Sequence, residues 1–357
     1  MRTLRLFRWI LIPLGIAILI FWGITHTSEF CPAVEKGSVA VLYANQCQDD
    51  MRTVFLNAIE QAHDSIYLII YSFTDQKLLN ALQKRADEGL AVTVIHDSSS
   101  SQKGFQKLKE PVIKESIRSS GLMHQKILVT DNERVWVGSA NWTKESLRVQ
   151  KNLVAGVYSP ELAATIIAKK PHHHFSAGSQ MIEFWTSLEE QGSALTHLIE
   201  LIDNAKESIK IGMFVWTHPS LTEAVVRAKR RGILTQVVLD RRMATFTSKK
   251  AILSMQNAGI EVRTYAGIGT FHHKFAWIDE TTLINGSLNW TNSAFKKNWD
   301  CFLILYDLTP NQQEKMQKLW HVIRSTSRLA NEQHLSILWQ RPKLIIDEPF
   351  EIISIAA

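Results

Sequence analysis

"AIEQAHDSIYLIIYSFTDQKLLNALQKRADEGLAVTVIHD" at residues 58–97 can be laid on "LIDNAKESIKIGMFVWTHPSLTEAVVRAKRRGILTQVVLD" at 201–240 with no gap, at an offset of 143. Ala62 meets Ala205, Ser65 meets Ser208 and Thr74 meets Thr217, while Leu78 meets Leu221, Gly89 meets Gly232 and Asp97 meets Asp240. Agreement at the rarer positions over such a span marks an internal duplication. Each copy reads helix, strand, helix, strand. In the first, "MRTVFLNAIEQAHD" spaces Val54, Phe55, Ala58, Ile59 and Ala62 as one helical face. "SIYLIIYSF" is a short apolar run rich in β-branched and aromatic residues, as a buried strand should be. "QKLLNALQKRADEG" is an amphipathic helix stopped by Gly89, and "LAVTVIHD" a second buried strand. The alternation predicts an α/β sandwich around a mostly parallel sheet, built twice. Duplicated halves of this kind are expected to pack about a pseudo-twofold axis.

Downstream of each copy the same polar residues return. "HQKILVTD" at 124–131 and "HHKFAWID" at 272–279 both read His-x-Lys-x4-Asp, and lead to "GSANWT" at 138–143 and "GSLNWT" at 286–291. Period-two alternation sets His124 with Lys126, and His272 with Lys274, on one side of an otherwise apolar strand. Such side chains cost desolvation unless something charged or hydrogen-bonding meets them. A phosphate would. Lysine supplies a point charge, and Ser139 with Asn141, or Ser287 with Asn289, adds neutral donors for phosphate oxygens. Seventeen residues separate His124 from Asn141 and His272 from Asn289, so each copy offers the same set. With both sets at one cleft, one imidazole attacks phosphorus while the other protonates the leaving alcohol. "VWVGS" and "TLING" are expected to pair with the Lys-bearing strands through tight turns at "DNER" and "DETT". Asp131 and Asp279 sit far along those strands and read as turn and framework residues. Trp142 and Trp290 either line the cleft or pack beneath it.

These residues resemble the phospholipase D superfamily, whose motif is His-x-Lys-x4-Asp-x6-Gly-Ser-x-Asn. The match is His124, Lys126, Asp131, Gly138, Ser139 and Asn141, then His272, Lys274, Asp279, Gly286, Ser287 and Asn289. It covers roughly 38–325. The resemblance implies cleavage of a phosphodiester through a phosphohistidine without an essential metal. It also implies that His124 is the nucleophile, and His272 the acid for the leaving group and the base for water or an acceptor alcohol. Family members often carry an acidic residue in an Asn-x-Glu pattern that orients a catalytic histidine. Asn298 and Asp300 fit it, which makes Asp300 a catalytic candidate, whereas Asn152 is followed by Val154, so the first copy lacks the acid.

The whole chain bounds these readings. Its 357 residues suffice for two cores, and 45% hydrophobic with 21% charged residues is a globular composition. Net charge is +6, of which Arg2, Arg5 and Arg8 supply three, so charge says little for a nucleic-acid partner. Cys31, Cys47 and Cys301 are odd in number and widely spaced, which argues against a disulfide scaffold and a thiolate zinc site. No metal or cofactor is expected. "PHHHF" at 171–175 invites a metal reading, but adjacent side chains diverge, and an exposed linker is preferred. "RAKRRG" at 227–232, with Arg241, Arg242, Lys249 and Lys250, reads as a solvated face, with anionic lipid or a nucleic-acid backbone as alternatives.

"MRTLRLFR" precedes "WILIPLGIAILIFWGI" at 9–24, an uncharged run of about 24 Å as a helix. An uncleaved membrane anchor with an extracytoplasmic body is the expectation, since "THTSEFCPA" lacks an A-x-A cleavage pattern. A cleaved signal, leaving a secreted or periplasmic protein, is the alternative. The domains expected are an anchor or signal at 1–30, a first phospholipase D-like domain at 38–157, a linker at 158–180, a second domain at 181–325 and a C-terminal extension at 326–357. Both halves of the site lie in one chain, so no obligate dimer is implied. The expected substrate is a membrane phospholipid, split in the manner of phospholipase D. Transfer of a phosphatidyl group as in cardiolipin synthase, cleavage of nucleic acid, and binding without turnover are the alternatives.

Overall fold

The computed structural model describes residues 32–100, 102–187 and 192–330. Seven strands form the first sheet: β1 (Val41–Ala44), β2 (Ser65–Ile70), β3 (Ala91–Asp97), β4 (Ile113–Ile117), β5 (Lys126–Thr130), β6 (Arg134–Gly138) and β7 (Leu153–Tyr158), in the order β1-β7-β6-β5-β2-β3-β4. Nine form the second: β8 (His172–Ala177), β9 (Gln180–Thr186), β10 (Ser208–Met213), β11 (Leu234–Leu239), β12 (Glu261–Tyr265), β13 (Lys274–Ile278), β14 (Thr282–Gly286), β15 (Cys301–Leu305) and β16 (Ser327–Leu329), in the order β16-β12-β11-β10-β13-β14-β15-β9-β8. The run β5-β2-β3-β4 is matched by β13-β10-β11-β12, so the duplication read in the sequence is present as two equivalent sheets.

The sheets are mixed, not mostly parallel. Only β2-β3-β4 and β10-β11-β12 run parallel, joined by helical crossovers, and the other pairings are antiparallel. The Lys-bearing strands cause this. β5 turns straight back into β6, and β13 into β14, through residues with positive φ (Asp131 54°, Asn132 55°, Asp279 50°, Glu280 57°). Two successive left-handed residues make the tight turn whose twist suits a hairpin.

Helices α1 (Met51–Glu60) and α2 (Gln76–Asp87) flank β2 in the chain, and α1 is capped by Asp50 and α2 by Asp75, which accept from the first backbone N–H groups. The stretch expected as a linker folds instead. It forms α3 (Pro160–Ile167), capped by Ser159, and then β8, so "HHHFSA" is an edge strand paired with β9. The second sheet therefore starts ahead of residue 181. Helices α4 (Ser193–Asp203) and α5 (Pro219–Arg230) bury Leu198, Ile202, Leu221 and Val225 with Ile209, Ile211 and Val237 in an outer core. Arg227 and Arg231 of the basic run form ion pairs with Asp203 on this solvated face. A second core lies between the sheets. It gathers Ile69, Ile95, Ile127 and Val137 of the first half with Val238, Phe275, Trp277 and Leu303 of the second.

The last helix, α6 (Pro310–Ser325), follows β15 as α3 follows β7, but has 16 residues against 8. From the expected C-terminal extension, β16 pairs with β12; the remainder from 331 lies outside the described residues, as does the expected anchor at 1–30. Among the described residues no helix is long and apolar enough to cross a membrane.

Candidate active site

The two halves are sewn together beside their histidines. His124 donates its backbone N–H to Trp299 O at 2.9 Å, and Trp299 donates to Leu122 O at 2.7 Å. Symmetrically, Lys151 N–H donates to Thr270 O at 2.9 Å, two residues before His272. From behind, Asp97 at the end of β3 accepts the Met123 N–H at 2.7 Å, and Asp240 after β11 accepts the Phe271 N–H at 3.0 Å. The aspartates aligned by the duplication thus fix the segments that enter the motif strands.

The side-chain pairing crosses between halves. His124 Nδ1 meets Asp300 Oδ1 at 2.7 Å, and His272 Nδ1 meets Asn152 Oδ1 at 3.0 Å. Asn152 is therefore the structural counterpart of Asp300, at the same separation of 148 that relates His124 to His272. Val154, taken from the sequence as the place of the missing acid, is a buried residue of β7. The Asn-x-Glu alignment was two residues out of register, because it matched Asn298 to Asn152. The asymmetry is real but sits at Asn152. Its Nδ2 donates to Ser146 O at 2.8 Å, so Oδ1 is the atom facing His272. Each ring then carries its proton on Nδ1 and keeps the Nε2 lone pair for chemistry.

Ser139 and Ser287 serve these partners. Ser139 Oγ donates to Asn152 Oδ1 at 2.8 Å and accepts the Leu153 N–H; Ser287 Oγ donates to Asp300 Oδ1 at 2.7 Å and accepts the Cys301 N–H. A hydroxyl has one proton, and both residues are fully buried. They orient Asn152 and Asp300 and have no proton left for a phosphate oxygen, contrary to the role read from the sequence. Asn141 and Asn289 are half-buried, and their Oδ1 atoms have no hydrogen-bond partner.

Lys126 Nζ donates to His124 O, and Lys274 Nζ donates to His272 O at 2.8 Å. Aromatic walls stand beside them. Lys126 lies over the Tyr71 ring at 5.2 Å and Lys274 over Phe214 at 4.8 Å, and the same rings flank His124 and His272. Tyr71 and Phe214 are a duplicated pair that motif reading missed; their equal place after β2 and β10 was the available signal. Trp142 and Trp290 pack beneath the site, against Phe55 and Phe73, and against Trp216. Asp131 Oδ1 accepts the N–H groups of His63, Asp64 and Ser65, while Asp279 accepts those of Lys206, Glu207 and Ser208. Both hold the entry to a central strand, away from the histidines.

Four buried basic groups converge here on one buried carboxylate. Burial, then the Lys126 ammonium, pushes the His124 imidazole down to about 4, with Asp300 pulling the other way. Burial takes Lys126 down to about 7. His272 lies well below its ordinary value through burial, then Lys274, Lys126 and His124; Lys274 is lowered by burial and then Lys126. An entering anion opposes these shifts, since opposite charge favours the protonated forms. Among the described residues, no group of three or more His, Cys, Asp or Glu side chains is placed to hold a metal.

A family model described as "Cardiolipin synthase, PLD-like domain" matches residues 55–170 and 198–321. The mitochondrial cardiolipin hydrolase of Mus musculus is 32% identical over 136 residues, covering 38% of this chain and 61% of that protein. Its Xenopus tropicalis counterpart is 33% identical over 135 residues, covering 37% and 64%. The chain thus spans less than two thirds of the length of these relatives. The crystal structure of phosphatidylserine synthase from Haemophilus influenzae Rd KW20 superposes with a TM-score of 0.66 at 14% identity, over 86% of this chain and 93% of that one. That likeness is one of fold.

Proposed function

Because the chain belongs to the phospholipase D superfamily, in the family of the cardiolipin synthase phospholipase D-like domain, we propose that it hydrolyses the head-group phosphodiester of a glycerophospholipid through a phosphohistidine. The observation that carries the reading is the crossed pairing of His124 with Asp300 and His272 with Asn152. His124 Nε2 attacks phosphorus, and the P–N bond forms as the P–O bond to the leaving alcohol breaks. Asp300 stabilises the positive charge that develops on the ring, through the hydrogen bond it accepts from Nδ1–H. His272, protonated once the phosphate anion is bound, gives its Nε2 proton to the departing oxygen. Lys126 and Lys274 neutralise the phosphoryl oxygens, and Asn141 and Asn289 are further donors. Water then attacks phosphorus, returning its proton to His272 as the P–N bond breaks.

The relatives named cardiolipin hydrolases support a phospholipid substrate, and the apolar run at 9–24 supports a membrane-anchored enzyme with its body outside the cytoplasm. Both catalytic sets are in one chain, so the monomer suffices. Full-length protein assayed on cardiolipin-containing vesicles with chelator present is expected to release phosphatidate. A parallel assay on single- and double-stranded DNA tests the substrate class. Turnover of DNA with none of lipid would replace the substrate, and loss of all activity in chelator would remove the mechanism.

A further inference from the structure

Between the sheets, against the β2, β3 and β5 strands of the first half and closed by Phe184 and Trp299 of the second, lies a cavity of ≈ 420 Å³ walled also by Ile69, Ile95, Ile127 and Ile166. Broken symmetry accounts for it. In the second half the equivalent space is filled by α6, whose Met316, Leu319, Trp320 and Ile323 pack with Val238 and Phe275. In the first half α3 has half the residues of α6 and stops at Ile167. Phe275 is replaced by Ile127 at the 148 offset, and there is no counterpart of the second half of α6. The chain leaves α3 through Lys169, Lys170 and Pro171, which line the cavity as well. Lys169 forms a surface ion pair with Glu115 at 3.7 Å, a weak contact in solvent.

We propose that this cavity binds one long alkyl chain with an anionic head, the chain between the sheets and the head on Lys169 and Lys170. Its size is that of a small-ligand pocket, and its isoleucine and aromatic walls suit methylene groups. Two ammonium groups at the rim select an anion. It is not a subsite for the reacting phosphodiester. Gln125 and Ile127, which line it, alternate along the strand with His124 and Lys126 and so lie on the opposite side. Trp299 belongs to both places, lining the cavity and accepting the His124 N–H through its carbonyl. The proposal goes beyond the phosphodiesterase reading and does not depend on it.

Full-length protein is irradiated with a diazirine-bearing hexadecanoate or, in a second arm, a diazirine-bearing lysophosphatidate, and adducts are mapped by mass spectrometry. Saturable labelling of the peptides that hold Ile166 or Trp299 is expected, and the arm that labels at lower concentration names the source of the chain. Ile127→Phe with Ile166→Phe, which fills the space as the second half does, should reduce labelling at least about five-fold. Lys169→Glu with Lys170→Glu should weaken labelling by the anions while leaving diazirine hexadecanol unaffected. His124→Ala, expected to abolish turnover, should label like the parent. Scattered labelling, labelling that persists in the filled variant, or equal labelling of the charge-reversed variant by the anions overturns the proposal.

Discussion

Replacing Asn152 by Asp would give His272 the partner that His124 already has. In the parent, His272 Nδ1 faces an amide oxygen at 3.0 Å, whereas His124 Nδ1 faces a carboxylate oxygen at 2.7 Å. A carboxylate at that range favours the protonated ring by roughly 1–3 pKa units, or about 1.4–4 kcal/mol. Burial first, then Lys274, Lys126, His124 and His273, act in the other direction, and the new charge offsets part of that lowering. There is a cost. Asn152 Nδ2 donates to Ser146 O at 2.8 Å, and a carboxylate oxygen there loses the bond and faces a carbonyl, about 1–3 kcal/mol of stability. The Asn152→Asp enzyme should therefore melt earlier. Its alkaline limb in the pH dependence of kcat, set by protonated His272 as the acid, should move up by about one unit or more. Hydrolysis of the phosphoenzyme at neutral pH should slow, because a ring that holds its proton more tightly returns more slowly to the base form. The assay pairs pH–rate profiles with an NMR titration of His272. A folded variant whose alkaline limb and His272 titration both stay where they were would refute the assignment of Asn152 as the positioning residue.

Other outcomes follow from the same geometry. His124→Ala should abolish both turnover and the covalent adduct, while His272→Ala should load phosphorus from a substrate with a good leaving group and release it slowly; an adduct on His272 alone, mapped by mass spectrometry, would reverse the roles. Asp131→Ala removes an acceptor of three backbone N–H groups and should cost about 1–3 kcal/mol of stability in denaturant titration, with kcat little changed. His124, pushed down to about 4, and His273, pushed down to about 3 by burial, lie below the unfolded value near 6.5. Unfolding then takes up protons, so stability is lost as pH falls below 6.5 towards the folded values, about 2 kcal/mol per ring between pH 8 and 5; denaturation curves that coincide at those two pH values would contradict this. The apolar run at 9–24 predicts full-length protein that resists carbonate extraction, and recovery of a soluble chain starting near residue 25–35 would show cleavage instead.

The duplication and the motif set were legible because both are written in short, local patterns. Apolar runs of strand length, Gly89 after a helix and an ungapped repeat specify the sheets. Asp300 was legible as an acid that orients a histidine, but neither the histidine it serves nor the role of Asn152 was. Asn152 and Asp300 reach their histidines across the junction of the halves, and spacing within one copy carries no record of that contact. The linker reading failed because Pro171 and the histidines resemble loop composition, yet pairing with β9 makes them a strand. The serine roles failed for a related reason. A hydroxyl after Gly138 or Gly286 is a free donor on paper, and only the fold reveals that its proton is already committed.

The crossed pairing also bears on what a fused gene makes possible. Two identical subunits meeting about a true twofold would have to present two identical pairs, both His–Asp or both His–Asn. Any change that loosens the proton on one ring would loosen it on the other. Joining the copies in one chain removes that constraint, since Asn152 and Asp300 are encoded at separate codons. In the proposed mechanism the attacking ring keeps its carboxylate while the proton-shuttling ring is given an amide. Covalent linkage here separates two acidities that symmetry would have held equal.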